Sequence, residues 1–292
     1  MAEVITISNQ KGGTGKSTTT GAMAYILAEE LGYKTLVIDF DPQGNETELL
    51  TGRDTEEFED NTILNAMHDG DPRDYILAIT DNLFLIPADE HLGVFPRYLC
   101  GNYYLEDENG NVLRDEYGTI QFSPEGHLIL KNTLDKVKDY FDFVLIDTPP
   151  MLSDFHGNAL AASDSCIIVY QTGKFGFKAV RKFLETIKAS QEGSNPNLKL
   201  RGILPTMAHT QRSESKAYTH LGKEQYKDIM FDTVIKNTAN ISQLAIYGFD
   251  PKENKGLNKA LEQYREVTTE VLRRIKNDIY FEVTEELIGR GE

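Results

Sequence analysis

Apolar residues in this 292-residue chain fall into short uninterrupted runs, separated by stretches in which they recur at every third or fourth position. Val4-Ile5-Thr6-Ile7, Thr35-Leu36-Val37-Ile38, Leu83-Phe84-Leu85-Ile86-Pro87, Phe143-Val144-Leu145-Ile146, Ser165 to Tyr170, Leu198 to Leu204 and Ile229 to Ile235 have the length and composition of buried strands. Helical spacing links Met23, Ile26, Leu27 and Leu31, and Gly32 is placed to end that helix in a left-handed cap. The spacing also predicts helices from about Leu128 to Tyr140 and from about Phe177 to Ser190, and a long one through Leu257, Ala260, Leu261, Tyr264, Val267, Val271, Leu272 and Ile275. Residues 46–82 read as short helices in an acidic setting, and Asp154 to Ala162 as a loop leading into a helix. Strands alternating with helices predict an α/β fold of three layers, a mostly parallel twisted sheet flanked by helices.

One stretch breaks the rhythm. Between residues 101 and 126, Tyr103, Tyr104, Val112, Leu113, Tyr117, Ile120 and Phe122 are spaced among turn formers, which predicts an inserted β-hairpin with Asn109-Gly110 at its tip. No tandem repeat or low-complexity linker divides the sequence, so a single domain over residues 1–292 is expected. The tail, residues 278–292, sets Ile279, Tyr280, Phe281, Val283, Leu287 and Ile288 among Asp278, Glu282, Glu285 and Glu286. Those acids would repel anionic lipid, so packing or a partner surface is expected there rather than a membrane.

Composition narrows the classes further. A formal charge of −16 favours solubility and excludes a uniformly cationic nucleic-acid binder. The charge is uneven, however, because twelve lysines and arginines face six acids between Lys174 and Lys236. Such polarity would let one face lie on DNA phosphates, although the same lysines could simply solvate helix surfaces. Cys100 and Cys166 have no motif spacing and suit a reducing cytosol as small buried hydrophobes. The chain opens on strand-like residues with no secretory segment, and its apolar runs are too short to span a bilayer, so a cytoplasmic protein is expected.

Candidate chemistry gathers at the ends of the strands. After the first comes Asn9-Gln10-Lys11-Gly12-Gly13-Thr14-Gly15-Lys16-Ser17-Thr18-Thr19, and then the first helix. Glycines at 12, 13 and 15 let backbone N–H groups close around phosphate oxygens, Lys16 adds charge, and Ser17 offers a hydroxyl to a metal ion at a helix N-terminus. This is the strand, loop and helix of a P-loop NTPase fold, made for a nucleoside triphosphate with magnesium. The second strand delivers Asp39-Phe40-Asp41-Pro42-Gln43-Gly44-Asn45, and the run ending in Ile146 delivers Asp147-Thr148-Pro149-Pro150. Asp147 has the Walker B place for holding magnesium through water, and Asp39 is near enough to join it through water. Asp41 is the candidate for positioning the attacking water; a turn or N-cap role is the alternative for both Asp39 and Asp41.

Lys-Gly-Gly-Thr-Gly-Lys-Ser-Thr departs from the ordinary P-loop, since Gln10 stands at the first glycine position and Lys11 is extra. It resembles the deviant Walker A box of the superfamily containing ParA, MinD and the nitrogenase iron protein. With Asp39 to Asn45, Val144 to Pro150 and Asn158 to Asp164, nearly the whole chain is similar to ParA-family partition ATPases. The resemblance implies a magnesium-ATP switch in which Lys11 reaches a partner subunit's nucleotide, so that ATP binding makes a homodimer. It also implies non-specific binding to double-stranded DNA, nucleoid association in the ATP state, and hydrolysis stimulated by a ParB-type centromere-binding protein. By family position Thr206 and Met207 would lie near the adenine. The absence of an extension before the first strand resembles the short ParA class.

Two departures from that pattern stand out. Ile235-Lys236-Asn237-Thr238-Ala239-Asn240 keeps Lys236 but lacks the family's arginines, which leaves DNA contact to Lys174, Lys178, Arg181, Lys182, Arg212, Lys216 and Lys236. The 101–126 insertion is the second. The competing readings are a MinD-like membrane-associated positioning ATPase, disfavoured by the acidic tail, and a metabolic enzyme on the same fold. For the latter, an iron–sulfur reductase needs a cysteine soon after Asp147, and an amide-forming ligase needs a substrate pocket.

Overall fold

Alternation within the apolar runs decides how the layers assemble. Val4, Leu36, Ile38, Val144 and Ile146 point to one face of a sheet, while Ile5, Ile7, Val37 and Leu145 point to the other, as a period of two requires. The computed structural model describes residues 2–115, 118, 120–121, 123–151, 153–209 and 211–290. Its strands are β1 (Glu3–Ser8), β2 (Thr35–Asp39), β3 (Leu77–Ala78), β4 (Leu83–Ile86), β5 (Phe143–Asp147), β6 (Ser165–Gln171) and β7 (Lys199–Thr206). They form one sheet in the order β3-β4-β2-β5-β1-β6-β7, parallel except for the short β3 at its edge. The helices are α1 (Lys16–Tyr25), α2 (Asn45–Thr51), α3 (Ile63–Asp69), α4 (Phe95–Asn102), α5 (Ile129–Leu134) and α6 (Asp154–Ala162). They continue with α7 (Lys174–Glu192), α8 (Ser213–Tyr226), α9 (Ala239–Tyr247), α10 (Leu257–Lys276) and α11 (Glu285–Gly289).

Helices α1, α9 and α10 cover one face of the sheet, and α3 to α6 cover the other, with α7 and α11 closing over β6 and β7. This is the three-layer arrangement expected of a P-loop NTPase. Because the strands run parallel, Ser8, Asp39, Asp147, Gln171 and Thr206 all end at one edge. Ligands of open α/β sheets bind outside that edge. Register places Asp39 directly opposite Asp147 on neighbouring strands.

Several boundaries differ from the sequence pattern. Helix α1 widens into a π turn over Ile26–Glu30 before Gly32 stops it at φ +76°. The helix expected to reach Tyr140 ends at Leu134, and a separate 3₁₀ turn forms at Lys138–Tyr140. Ile229 to Ile235 is not a continuous strand: Phe231 and Ile235 donate their N–H groups to the Ile203 and Pro205 carbonyls of β7, with isolated bridges at Ile203 with Met230 and, just beyond β7, Ala208 with Lys236. Side chains of α10 take part of this backbone. Arg274 donates to the carbonyls of Ile229 and Met230, and Glu270 Oε2 accepts the Asp232 N–H at 3.1 Å.

The insertion turns at Gly110, φ +79°, as expected of Asn109-Gly110. It is a ribbon of three legs rather than a simple hairpin: Leu113 N–H donates to Leu105, Gln121 to Leu113, and Leu105 to Gln121. Tyr117 and Phe122 lie outside the described residues. The tail packs as expected, with Val283, Leu287 and Ile288 buried against α7. Among the described residues no helix is long and apolar enough to cross a membrane.

Candidate functional site

The loop after β1 is tied down residue by residue. Asn9 donates its amide to the Val169 carbonyl and accepts the Lys11 N–H at 3.1 Å, so one side chain anchors the loop to β6 and sets its first turn. Gly15 sits at φ +82° just before α1, in the left-handed region where a Cβ would be strained, and the helix opens at Lys16. Thr206 lends support from behind, its hydroxyl donating to Thr14 O at 2.6 Å. It is buried. Thr206 therefore props the loop, while Met207 lines the cavity in front of it.

That cavity, of about 540 Å³, is lined by Gly12 through Thr18, Asp41, Pro150 and Met207. Its far wall was not foreseen: it comes from Asn45, Glu48 and Leu49 of α2 and from Leu244 through Tyr247 of α9. No motif marks α9. Its lining role follows from packing against α2 and α10, which only the assembled fold brings about.

At the cavity's inner end Ser17 Oγ donates to Asp147 Oδ2 at 2.6 Å. The other oxygen, Asp147 Oδ1, is buried without a hydrogen-bond partner. Asp39 is fully buried and committed to the protein: Oδ2 accepts from both Thr47 N and Thr47 Oγ1, and Oδ1 accepts from Asp41 N. Asp41 Oδ1 accepts from Gln43 N at 3.0 Å, which holds the loop while the side chain faces the cavity. Lys16 is 6% exposed, and its ammonium reaches Lys11 O at 3.4 Å. Burial lowers the Lys16 pKa, while Asp147 and Asp41 oppose that fall.

A further carboxylate escaped the sequence reading. Glu46 is wholly buried with both oxygens unpartnered, and burial together with Asp147 and Asp39 holds its pKa well above the usual carboxylate range. The available signal was its spacing, since Glu46 lies four residues before buried Leu50 on the inner face of α2. Burial likewise pushes Asp39 up to about 7, against the bonds from Thr47 and Asp41, and Asp147 up to about 8, with the Asp39 charge adding to the effect.

These shifts carry a sign. Folded Asp39 and Asp147 keep their protons to about pH 7 and 8, whereas an unfolded chain releases them near pH ~4, so the folded state binds more protons over that window. Their contribution is complete below the unfolded value and is lost as pH rises through the folded ones. His156, held neutral with its pKa lowered to about 3 by burial, costs stability only below its unfolded value near ~6.5. The melting temperature of the ligand-free chain is therefore expected to fall as pH rises from about 4 to about 8, with His156 opposing the fall only below about 6.5. Calorimetry of wild type and Asp39→Asn checks this, the variant giving the shallower fall; a flat wild-type profile would contradict it.

The candidate DNA-contacting residues lie on neighbouring helices. Lys174, Lys178 and Lys182 on α7, Arg212 and Lys216 at the start of α8, and Lys236 beside Ala208 are all exposed. Arg181 is half-buried, 3.4 Å from Glu185. Lys11 Nζ donates to Gln171 Oε1 at 2.7 Å within its own subunit.

Comparison with known proteins places this geometry. Residues 2–200 match the AAA domain family model. The chain is 30% identical over 273 residues to the sporulation initiation inhibitor protein Soj of Bacillus subtilis, covering 91% of this chain and 98% of that one. The chain belongs to the ParA family of partition ATPases. Other relatives include the chromosome-partitioning ATPase Soj of Thermus thermophilus, 29% identical over 93% of this chain and 96% of its own. Among solved structures, a Mycobacterium smegmatis cobyrinic acid a,c-diamide synthase with bound ATP analogue and magnesium aligns at TM-score 0.75 and 26% identity, over 96% of this chain and 98% of that one.

Proposed function

We propose that this chain is a ParA-type DNA-partition ATPase whose single domain spans residues 1–292. ATP binding makes a homodimer that associates non-specifically with double-stranded DNA, and a ParB-type centromere-binding protein switches it off by stimulating hydrolysis. It works in the cytoplasm and on the nucleoid when ATP is bound. The observation that carries this reading is convergence: the glycine loop, Lys16 and Asp41 line one cavity, and the Ser17–Asp147 pair closes its inner end.

The donor set fits magnesium. Ser17 and Asp147 offer oxygen only, and Asp147 Oδ1 lacks a partner among the described residues. That suits an ion that keeps most of its waters and takes the rest of its shell from phosphate. Ser17 and Asp147 would hold it directly or through water, and Asp39, spent on Thr47, would steady the loop behind and join through water. When bound, magnesium neutralises phosphate charge.

The remaining chemistry belongs to the chain itself. Amides of Gly12, Gly13, Thr14, Gly15 and Ser17, with Lys16 and Thr18, hold the triphosphate, and Met207 lies on the base side. Asp41 accepts a hydrogen bond from the attacking water and orients it in line with the γ-phosphate. Lys11 lends its cation to the partner subunit's nucleotide, so turnover waits for dimerisation.

DNA binding is the discriminating test. With a non-hydrolysable ATP analogue, affinity for random duplex should fall steeply with salt, and the joint Lys178→Ala and Lys182→Ala change, which removes four lysines from the dimer, should reduce the log–log slope by about 4. Fluorescence anisotropy across a salt series measures both. Absence of binding at low salt with the analogue present would reject the partition reading.

A further inference from the structure

Lys11 is the residue on which the proposed dimer turns, yet in the single subunit it is already engaged. Its ammonium donates to Gln171 Oε1 at 2.7 Å. The backbone on either side cannot follow it: the Lys11 N–H is held by Asn9, and the Lys11 carbonyl accepts from Thr14 Oγ1 and Lys16 Nζ. Only the side chain is left to swing.

Gln171 is fixed just as firmly. It closes β6 in register with Thr206, the residue that props Thr14. The first turn of α7 lies so close over it that a Cβ on Gly176 would stand 2.0 Å from the Gln171 carbonyl oxygen. The amide is thus presented from a rigid strand end to a flexible cation.

The surroundings make this contact releasable. Lys11 and Gln171 line a cleft of about 160 Å³ with Lys174, His209 and Arg212, in which Glu214 is the only carboxylate among the described lining residues. Glu214 Oε1 accepts the Lys174 N–H rather than the ammonium of Lys11. A neutral amide therefore holds Lys11 in a cleft shared with Lys174 and Arg212, whose charges favour its departure.

We propose that Gln171 is a positioning residue that parks Lys11 inside its own subunit and so sets the ATP concentration at which two subunits close. This rests on the proposed function, in which Lys11 crosses to the partner's nucleotide. A state that must be vacated before assembly lowers apparent affinity by the fraction of molecules still in it. Strengthening the contact delays dimerisation, and removing it advances dimerisation.

Two substitutions separate the directions. Gln171→Glu gives the ammonium a full negative charge, and Gln171→Ala removes the acceptor. Lys11 acylation by an amine-reactive ester, followed by peptide mass spectrometry on the ligand-free chain, reads the contact itself. The alanine variant should label several-fold faster than wild type and the glutamate variant slower. Light scattering against a non-hydrolysable ATP analogue reads the consequence. The dimerisation midpoint should move to lower analogue concentration in Gln171→Ala and about tenfold higher in Gln171→Glu. Labelling unchanged in both variants, or midpoints shifted in the same direction, would overturn the proposal while leaving the partition reading intact. A wild-type chain that stays monomeric at saturating analogue would overturn both.

Discussion

Lys16→Ala is expected to abolish nucleotide binding, raising the dissociation constant for magnesium-ATP by at least about a hundredfold, the equivalent of roughly 3 kcal/mol. A charge-assisted contact to phosphate contributes about 1.5–3 kcal/mol, and here the loss is compounded. Lys16 is a cation buried beside Asp41 and Asp147, with Glu46 and Asp39 close behind. Without it, the loop amides alone face an incoming triphosphate, with these acids behind them. Isothermal titration calorimetry checks the result, with a melting curve to show that the variant folds. An isotherm within threefold of wild type would remove Lys16 from the phosphate site.

Asp41→Ala should separate binding from chemistry. Its side chain lines the cavity and holds Gln43 N through one oxygen, so its loss removes no phosphate donor. Nucleotide affinity and ATP-dependent dimerisation should persist, while steady-state phosphate release drops by about 10²–10⁴, the range assigned to a positioned acid or base. Dimer formation by light scattering and phosphate release measured on one preparation give the comparison. Normal turnover in Asp41→Ala would assign water positioning elsewhere, and the Asp41 carboxylate would be left with the turn it forms with Gln43.

Much of this was legible in the sequence because it depends on local rules. The runs at Val4, Thr35, Phe143 and Ser165 became parallel strands, and parallel strands bring their last residues to one edge, so Asp39 and Asp147 could be placed together before any coordinates. The insertion's turn at Gly110 followed from Asn-Gly chemistry. What escaped depends on non-local contact. The stretch at Ile229 to Ile235 has the composition of a strand, but Arg274 and Glu270, some forty residues on, take the Ile229 and Met230 carbonyls and the Asp232 N–H and break its ladder with β7. Glu46 sits in a stretch whose acidic setting gave no sign that α1 would bury it; a Cβ on Gly21 would lie 2.7 Å from its Oε1. Thr206 was placed at the base, and its hydroxyl turned inward to Thr14. The wall from α9 had no signal in its own residues.

The C-terminal tail bears on how the molecule can be handled at the bench. Phe281 donates its N–H to Leu200, and Val283, Leu287 and Ile288 complete the apolar face of α7, the helix that carries Lys174, Lys178 and Lys182 at its opposite end. Trimming the chain after Asn277 to gain a neater preparation would leave that face open to water and invite clumping. A change in any property of α7 in such a preparation would then report damage to that helix and not the loss of a contact made by the tail itself.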